Sequence, residues 1–119
     1  MVTAVIVITA VFFAGMGIYG LVVPDRLVAP FDITLGSAAA RSEVRAVYGG
    51  FGLAIAAVLT LAVARPELRS GILVTVAAAL AGMAFGRLVS AADGRARFYP
   101  SWFYFVVESG VAAALFIAA

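Results

Sequence analysis

The sequence predicts an all-α fold, a bundle of four transmembrane helices, and three observations carry that prediction. Of 119 residues, 66% are hydrophobic and only 12% charged, against roughly 45–50% apolar and about 25% charged in an ordinary soluble domain. Mean hydropathy is +1.17. Four stretches of about 20 mostly apolar residues, the length that crosses a bilayer, follow one another with short polar breaks between them. A soluble domain this short leaves a large share of its residues facing water, so the surface of this one is read as facing lipid. The composition excludes a soluble enzyme, a disordered chain and a nucleic-acid module.

The first span runs from Val2 to Val23, uncharged throughout and closed by Pro24. It lacks the basic flank of a signal peptide and is longer than a usual h-region, so it is expected to stay as a helix. The first connection, from Pro24 to about Ser42, is the longest, and its Pro24–Phe31 stretch fits a short interfacial segment. Ser37 is a candidate cap for the second helix, whose span is taken as 41–64. Arg65-Pro-Glu-Leu-Arg-Ser70 reads as a tight hairpin, with Pro66 stopping one helix or opening the next. The third span covers 71–92, and Asp93-Gly-Arg-Ala-Arg97 is a second short polar turn. The fourth covers 101–119, its start surrounded by Phe98, Tyr99, Trp102, Phe103, Tyr104 and Phe105, which look like an interfacial belt. The four spans leave no room for a second domain. Pro-Asp-Arg-Leu at 24–27 and Pro-Glu-Leu-Arg at 66–69 are similar, but both are helix-end punctuation and not a repeat.

Absences narrow the chemistry. There is no Cys and no His, and all eight basic residues are Arg. Disulfides, thiolate metal sites, imidazole proton shuttles and Schiff bases on lysine are therefore excluded, and no cofactor or metal is expected. The pI is near 9.5, yet the net charge is only +2, which suits Arg at helix ends better than a nucleic-acid partner. Connections one and three carry Arg26, Arg41, Arg95 and Arg97, with Arg45 close by, whereas the opposite face has Arg65 and Arg69. The positive-inside rule then places both termini outside a bacterial cytoplasmic membrane.

The polar residues of the spans gather in one half. Arg87 lies about five residues before the end of the third span, roughly 8 Å deep at 1.5 Å per residue. Glu108 lies about seven residues into the fourth, roughly 10 Å from the same face. Tyr19 lies one turn from the end of the first span, and Glu43, Arg45 and Tyr48 occupy the opening turns of the second. On an α-helix, Arg41, Arg45 and Tyr48 would share one face with Gly52, and Tyr104 would neighbour Glu108. Gly82-x-x-x-Gly86 has the spacing of a close helix contact, as have Gly49, Gly50 and Gly52. Simple structural readings exist for each: an ion pair of Arg87 with Glu108, snorkelling of Arg41 and Arg45 to phosphates, and belt or packing tyrosines. Snorkelling alone would decorate both faces, so the convergence predicts a polar pocket.

Ser-Glu-Val-Arg-Ala-Val-Tyr-Gly-Gly at 42–50 resembles the acidic-x-Arg-Ala-x-Tyr-Gly-Gly signature of a family of small four-span bacterial membrane proteins of unknown function. Gly86-Arg87, Asp93-Gly94, Glu108, Pro24 and Leu27 are similar to its other marks, and the resemblance covers essentially the whole chain. The stretch Arg95–Pro100 is more basic and aromatic than that pattern. The resemblance implies that Glu43, Arg45, Tyr48, Arg87 and Glu108 act together, and it brings no activity.

The leading expectation is a binding or accessory protein whose Arg/Glu/Tyr pocket takes a lipid headgroup or other anionic amphiphile, or which docks on a larger membrane complex. Arg45, Arg87 and Arg41 would grip the anion, with Tyr19 and Tyr48 as donors and Glu43 and Glu108 orienting the guanidiniums. The apolar half would receive an acyl or prenyl chain. An alternative is an intramembrane isomerase or lyase on a lipophilic substrate, with Glu108 as acid–base group and Tyr48 its partner. A third is a transporter like the small multidrug-resistance exporters, which use a membrane Glu in the first helix. The first helix here has no charge, and a Glu paired with Arg makes a poor proton-coupled site. Partners on these readings are membrane lipid or a lipophilic small molecule, and a homo-oligomer through the Gly and Ala faces.

Overall fold

A computed structural model describes all residues from Met1 to Ala119. The chain is an all-α bundle with no strand, built on four helices long and apolar enough to cross a membrane: Val2–Val22, Ala38–Ala64, Pro66–Ala91 and Phe98–Ala118. The first closes against the second, the second against the third and the third against the fourth, while the first and fourth meet little.

Differences from the expected boundaries have local causes. The second span starts at Ala38 rather than 41, because the Ser37 hydroxyl accepts a hydrogen bond from the Ala40 amide at 3.1 Å and satisfies an orphan donor of the first turn. The third starts at Pro66 rather than 71. Proline at the first helical position loses no needed N–H and has its φ preset. Arg65 is the whole turn, and it pairs with Glu67. Arg69 reaches back across it, donating to the carbonyls of Ala62 at 2.9 Å and Val63 at 3.1 Å, two of the acceptors that a helix end leaves without partners. The fourth span opens at Phe98 rather than 101, through a turn in which Tyr99 is extended (φ −98°, ψ 129°). Between the first two spans lie a short helix, Pro24–Val28, and a single turn, Ala29–Phe31, ended by Asp32 with φ 59°.

The core sits in the half that carries the termini and the Arg65 turn. Ile6, Leu59, Leu73 and Leu115, one from each span, are at most 1% exposed and belong to one cluster with Phe13, Leu80 and Ala112. Here all four helices touch, and burial of a full aliphatic side chain is worth roughly 1.5–3 kcal/mol in aqueous terms. Between helices in lipid that driving force is weaker, and close van der Waals fit replaces it.

In the other half, the first and second spans cross on glycine. A methyl group built on Gly17 would lie 2.8 Å from the Leu53 nitrogen and 2.9 Å from the Gly49 oxygen, and one on Gly52 3.0 Å from the Phe13 oxygen. Gly20 and Gly49 are similarly hemmed in. Backbone meets backbone, as small residues permit in membrane helices. The expectation for Gly82 and Gly86 is corrected: a Cβ on either meets nothing within 4 Å. Their spacing is right, but within this chain no helix lies across that face. Gly50 also stays outside the crossing.

The second span is not a continuous α-helix. Arg45–Gly50 forms a π-helical turn, whose i to i+5 hydrogen bonding widens the helix and shifts the phase beyond it. The expected stacking of Arg41, Arg45, Tyr48 and Gly52 assumes 3.6 residues per turn, so it does not persist through this segment. Gly49 instead faces the first span and is buried.

Candidate functional site

Because the first and fourth spans barely meet, a cleft of about 850 Å³ opens between them, with its polar end at connections one and three. Its apolar walls include Ile8, Phe12, Leu80, Met83, Val107 and Val111. Its polar lining is Tyr19, Arg26, Tyr48, Arg87, Tyr99, Tyr104 and Glu108, with Thr9 deeper.

The centre of the polar end is an ion pair between the third and fourth spans. Arg87 Nε donates to Glu108 Oε1 at 2.8 Å and a terminal guanidinium nitrogen donates to Oε2 at 3.0 Å. Glu108 is 5% exposed. A buried carboxylate with both oxygens engaged by one guanidinium is the planar arrangement arginine favours, and pairing is what makes either charge tolerable at this depth. The rings of Phe31 and Tyr104 each stand 5.8 Å from the Arg87 guanidinium carbon, within cation–π range. Phe31 comes from the first connection, so that connection folds over the cleft; its ring centroid is 5.8 Å from that of Tyr104. Farther out, Asp32 and Arg97 approach at 3.9 Å, both exposed.

Of the residues singled out from the sequence, Tyr19, Tyr48, Arg87 and Glu108 line this one cleft, whereas Glu43, Arg41 and Arg45 do not. Arg45 lies at the side of the first span, where its Nε donates to the Leu21 carbonyl at 3.0 Å. That carbonyl is one of the last of its helix, and a cation there also suits the negative end of the helix dipole. Arg45 and Arg69 therefore do the same work at the ends of successive helices. Glu43 is exposed and Arg41 half-buried.

Sequence reasoning missed Arg26 and Phe31, and did not count Tyr99 or Tyr104 as pocket residues. The aromatic run was expected to face the membrane interface. Part of it turns inward instead, Tyr99 and Tyr104 onto the cleft, with Tyr99 also against Phe103 at 5.7 Å between centroids. The available signal was Tyr104 four residues before Glu108, which puts both on one helix face. For Arg26 the signal was its position between Pro24 and Pro30, a length of chain too short to leave the polar end.

Chemically, the cleft offers phenol hydroxyls, a closed ion pair, one further guanidinium and a long apolar wall. No curated protein and no solved structure matches the chain. The family model for a domain of unknown function, DUF4345, matches residues 1–119, and the chain, a helical protein with four candidate transmembrane helices, belongs to that family.

Proposed function

We propose that this protein is a binding or accessory protein of the membrane that holds a lipid headgroup or other anionic amphiphile in the cleft between its first and fourth spans. One observation carries the reading: the cleft joins a polar end containing Arg87, Glu108, Tyr19 and Tyr48 to an apolar wall reaching Ile8 and Val111. That is the polarity profile of an amphiphile lying along the bilayer normal. A cavity of this size also falls in the range of roughly 300–1,000 Å³ that small-molecule sites occupy. The hydroxyls of Tyr19 and Tyr48 would bond the head, and the apolar wall would take the tail. Arg41, Arg45 and Glu43 lie outside the cleft and would act on the bilayer surface beside it.

Gly15 lines the cleft and has nothing within 4 Å of a built Cβ, so Gly15→Trp fills the cavity without straining a helix crossing. Native mass spectrometry from a mild detergent is expected to find an amphiphile on the wild-type protein and none on Gly15→Trp, at equal thermal stability. Equal ligand occupancy in the two proteins would sink the reading.

An intramembrane isomerase or lyase is the second reading, favoured by Glu108 and Tyr48 lining the same cleft. Both Glu108 oxygens accept from Arg87, so proton transfer would require that pair to open. Glu108→Gln abolishes turnover on this reading, and unchanged turnover ends it.

A further inference from the structure

We infer that the cleft selects a single-chain amphiphile carrying one negative charge, and that Arg26, not the deeper arginine, reads that charge. The inference rests on the reading of the cleft as an amphiphile site and adds its charge, its size class and a residue.

The charge follows from counting what is free. The acidic and basic side chains of the lining are Arg26, Arg87 and Glu108. Arg87 and Glu108 are closed on each other through two hydrogen bonds and present no net charge to a ligand. Arg26 is in no ion pair and makes no side-chain hydrogen bond. Asp25, beside it in sequence, does not line the cleft. The remaining attraction is that of one cation, which matches one anionic charge and leaves a second unmatched. Tyr19 and Tyr48 likewise make no side-chain hydrogen bond within the protein, so neutral donors stand free for the rest of the head.

Arg26 is also held in place. It belongs to the short helix Pro24–Val28, whose ends Pro24 and Val28 are both buried. The two anchors fix the backbone of the segment at the polar end of the cleft, and the exposed Arg26 side chain extends from that fixed backbone, so no loop has to be ordered on binding.

The size follows from depth and volume. Tyr19 and Ile8, at the two ends of the lining on the first span, are separated by about 16 Å at 1.5 Å per residue. That is about half of a hydrocarbon core of roughly 30 Å, the depth of one leaflet. The volume of about 850 Å³ is that of one small ligand. One chain lies inside, whereas a second chain of a diacyl lipid would have to remain in the bilayer. A fatty acid and a lysophospholipid share this chemistry.

The test uses the protein in a neutral detergent and native mass spectrometry with four probes, palmitate, palmitoyl-lysophosphatidylglycerol, the neutral hexadecanol and the two-chain dipalmitoylphosphatidylglycerol, against a control without additive. Wild type is expected to bind at least one single-chain anion about tenfold better than hexadecanol, the scale of one charge-assisted hydrogen bond. Whichever of the two binds better identifies the source. Arg26→Gln should bind anion and alcohol alike, and Gly15→Trp should bind neither. Equal binding of palmitate, the lysolipid and hexadecanol by wild type, or an anion preference that survives Arg26→Gln, overturns the role of Arg26. A preference for the two-chain lipid overturns the size class. Binding of no probe by wild type overturns the amphiphile reading itself.

Discussion

The first span has two neighbours and treats them in opposite ways. Toward the second span it presents Gly17 and Gly20, which let backbones touch against Gly49 and Gly52. Toward the fourth it presents Ile8, Phe12 and Tyr19, and a cleft remains. Both sides belong to one helix that is apolar all round, because in lipid the outward face is as apolar as the inward one. The difference teaches that in this protein side-chain size, and not polarity, decides where helices close. The cleft persists because the glycine crossing fixes the first span against the second and the Arg87–Glu108 pair ties the fourth to the third, which leaves the first and fourth with little contact.

That contrast can be broken from each side. The largest effect is expected from Glu108→Ala, which leaves Arg87 without its partner on the far wall of the cleft. Removing one member of a buried pair costs about 3–5 kcal/mol, read as loss of folded protein in thermal or denaturant unfolding in detergent. The double variant Arg87→Met with Glu108→Leu should recover most of that loss, and equal instability of the two proteins would argue that the pair is not the cause. Next comes Gly17→Ala. Its methyl meets the backbone of Leu53 and Gly49 below 3.0 Å, atoms that cannot yield as a side-chain tip can, so about 1–3 kcal/mol of destabilisation is expected. Wild-type stability would mean that the first two spans do not cross there. Gly82→Ala and Gly86→Ala have the same chemistry on an open face and should be the smallest, neutral or stabilising by about 0.5–1 kcal/mol through the better helix propensity of alanine. A loss of a larger species in native mass spectrometry of these two variants would instead reveal a second copy packed on that face.

Much of the architecture was legible in the residues. Four apolar runs in water-excluding lengths admit helices alone, because backbone groups in lipid must bond within their own segment. Arg87 and Glu108 could be brought to one level by counting residues from the helix ends. Rotation about the helix axis was not legible, since an apolar helix in lipid has no polar face to mark its outside. Gly82 and Gly86 therefore drew attention for a spacing that the fold leaves unused, while Gly17 and Gly20, equally small and one turn apart, form the crossing. The π-turn at Arg45–Gly50 broke the phase argument for Arg41, Arg45 and Tyr48 for a related reason: helical counting assumes a pitch that tertiary contact alters locally.

Composition and span length thus determined the helical class, the four apolar spans and the common level of Arg87 and Glu108, because each depends on distance along the chain or on transfer into lipid. Which helices touch, which arginine is spent on a neighbour's carbonyl or carboxylate and which is left free were decided by tertiary structure alone. Those outcomes depend on how far each helix turns about its axis before side chains meet. Arg45 closes a helix end, Arg87 closes on Glu108, and Arg26 stays open at the mouth of the cleft. Three guanidiniums of identical chemistry are separated in role only by what the fold sets beside them.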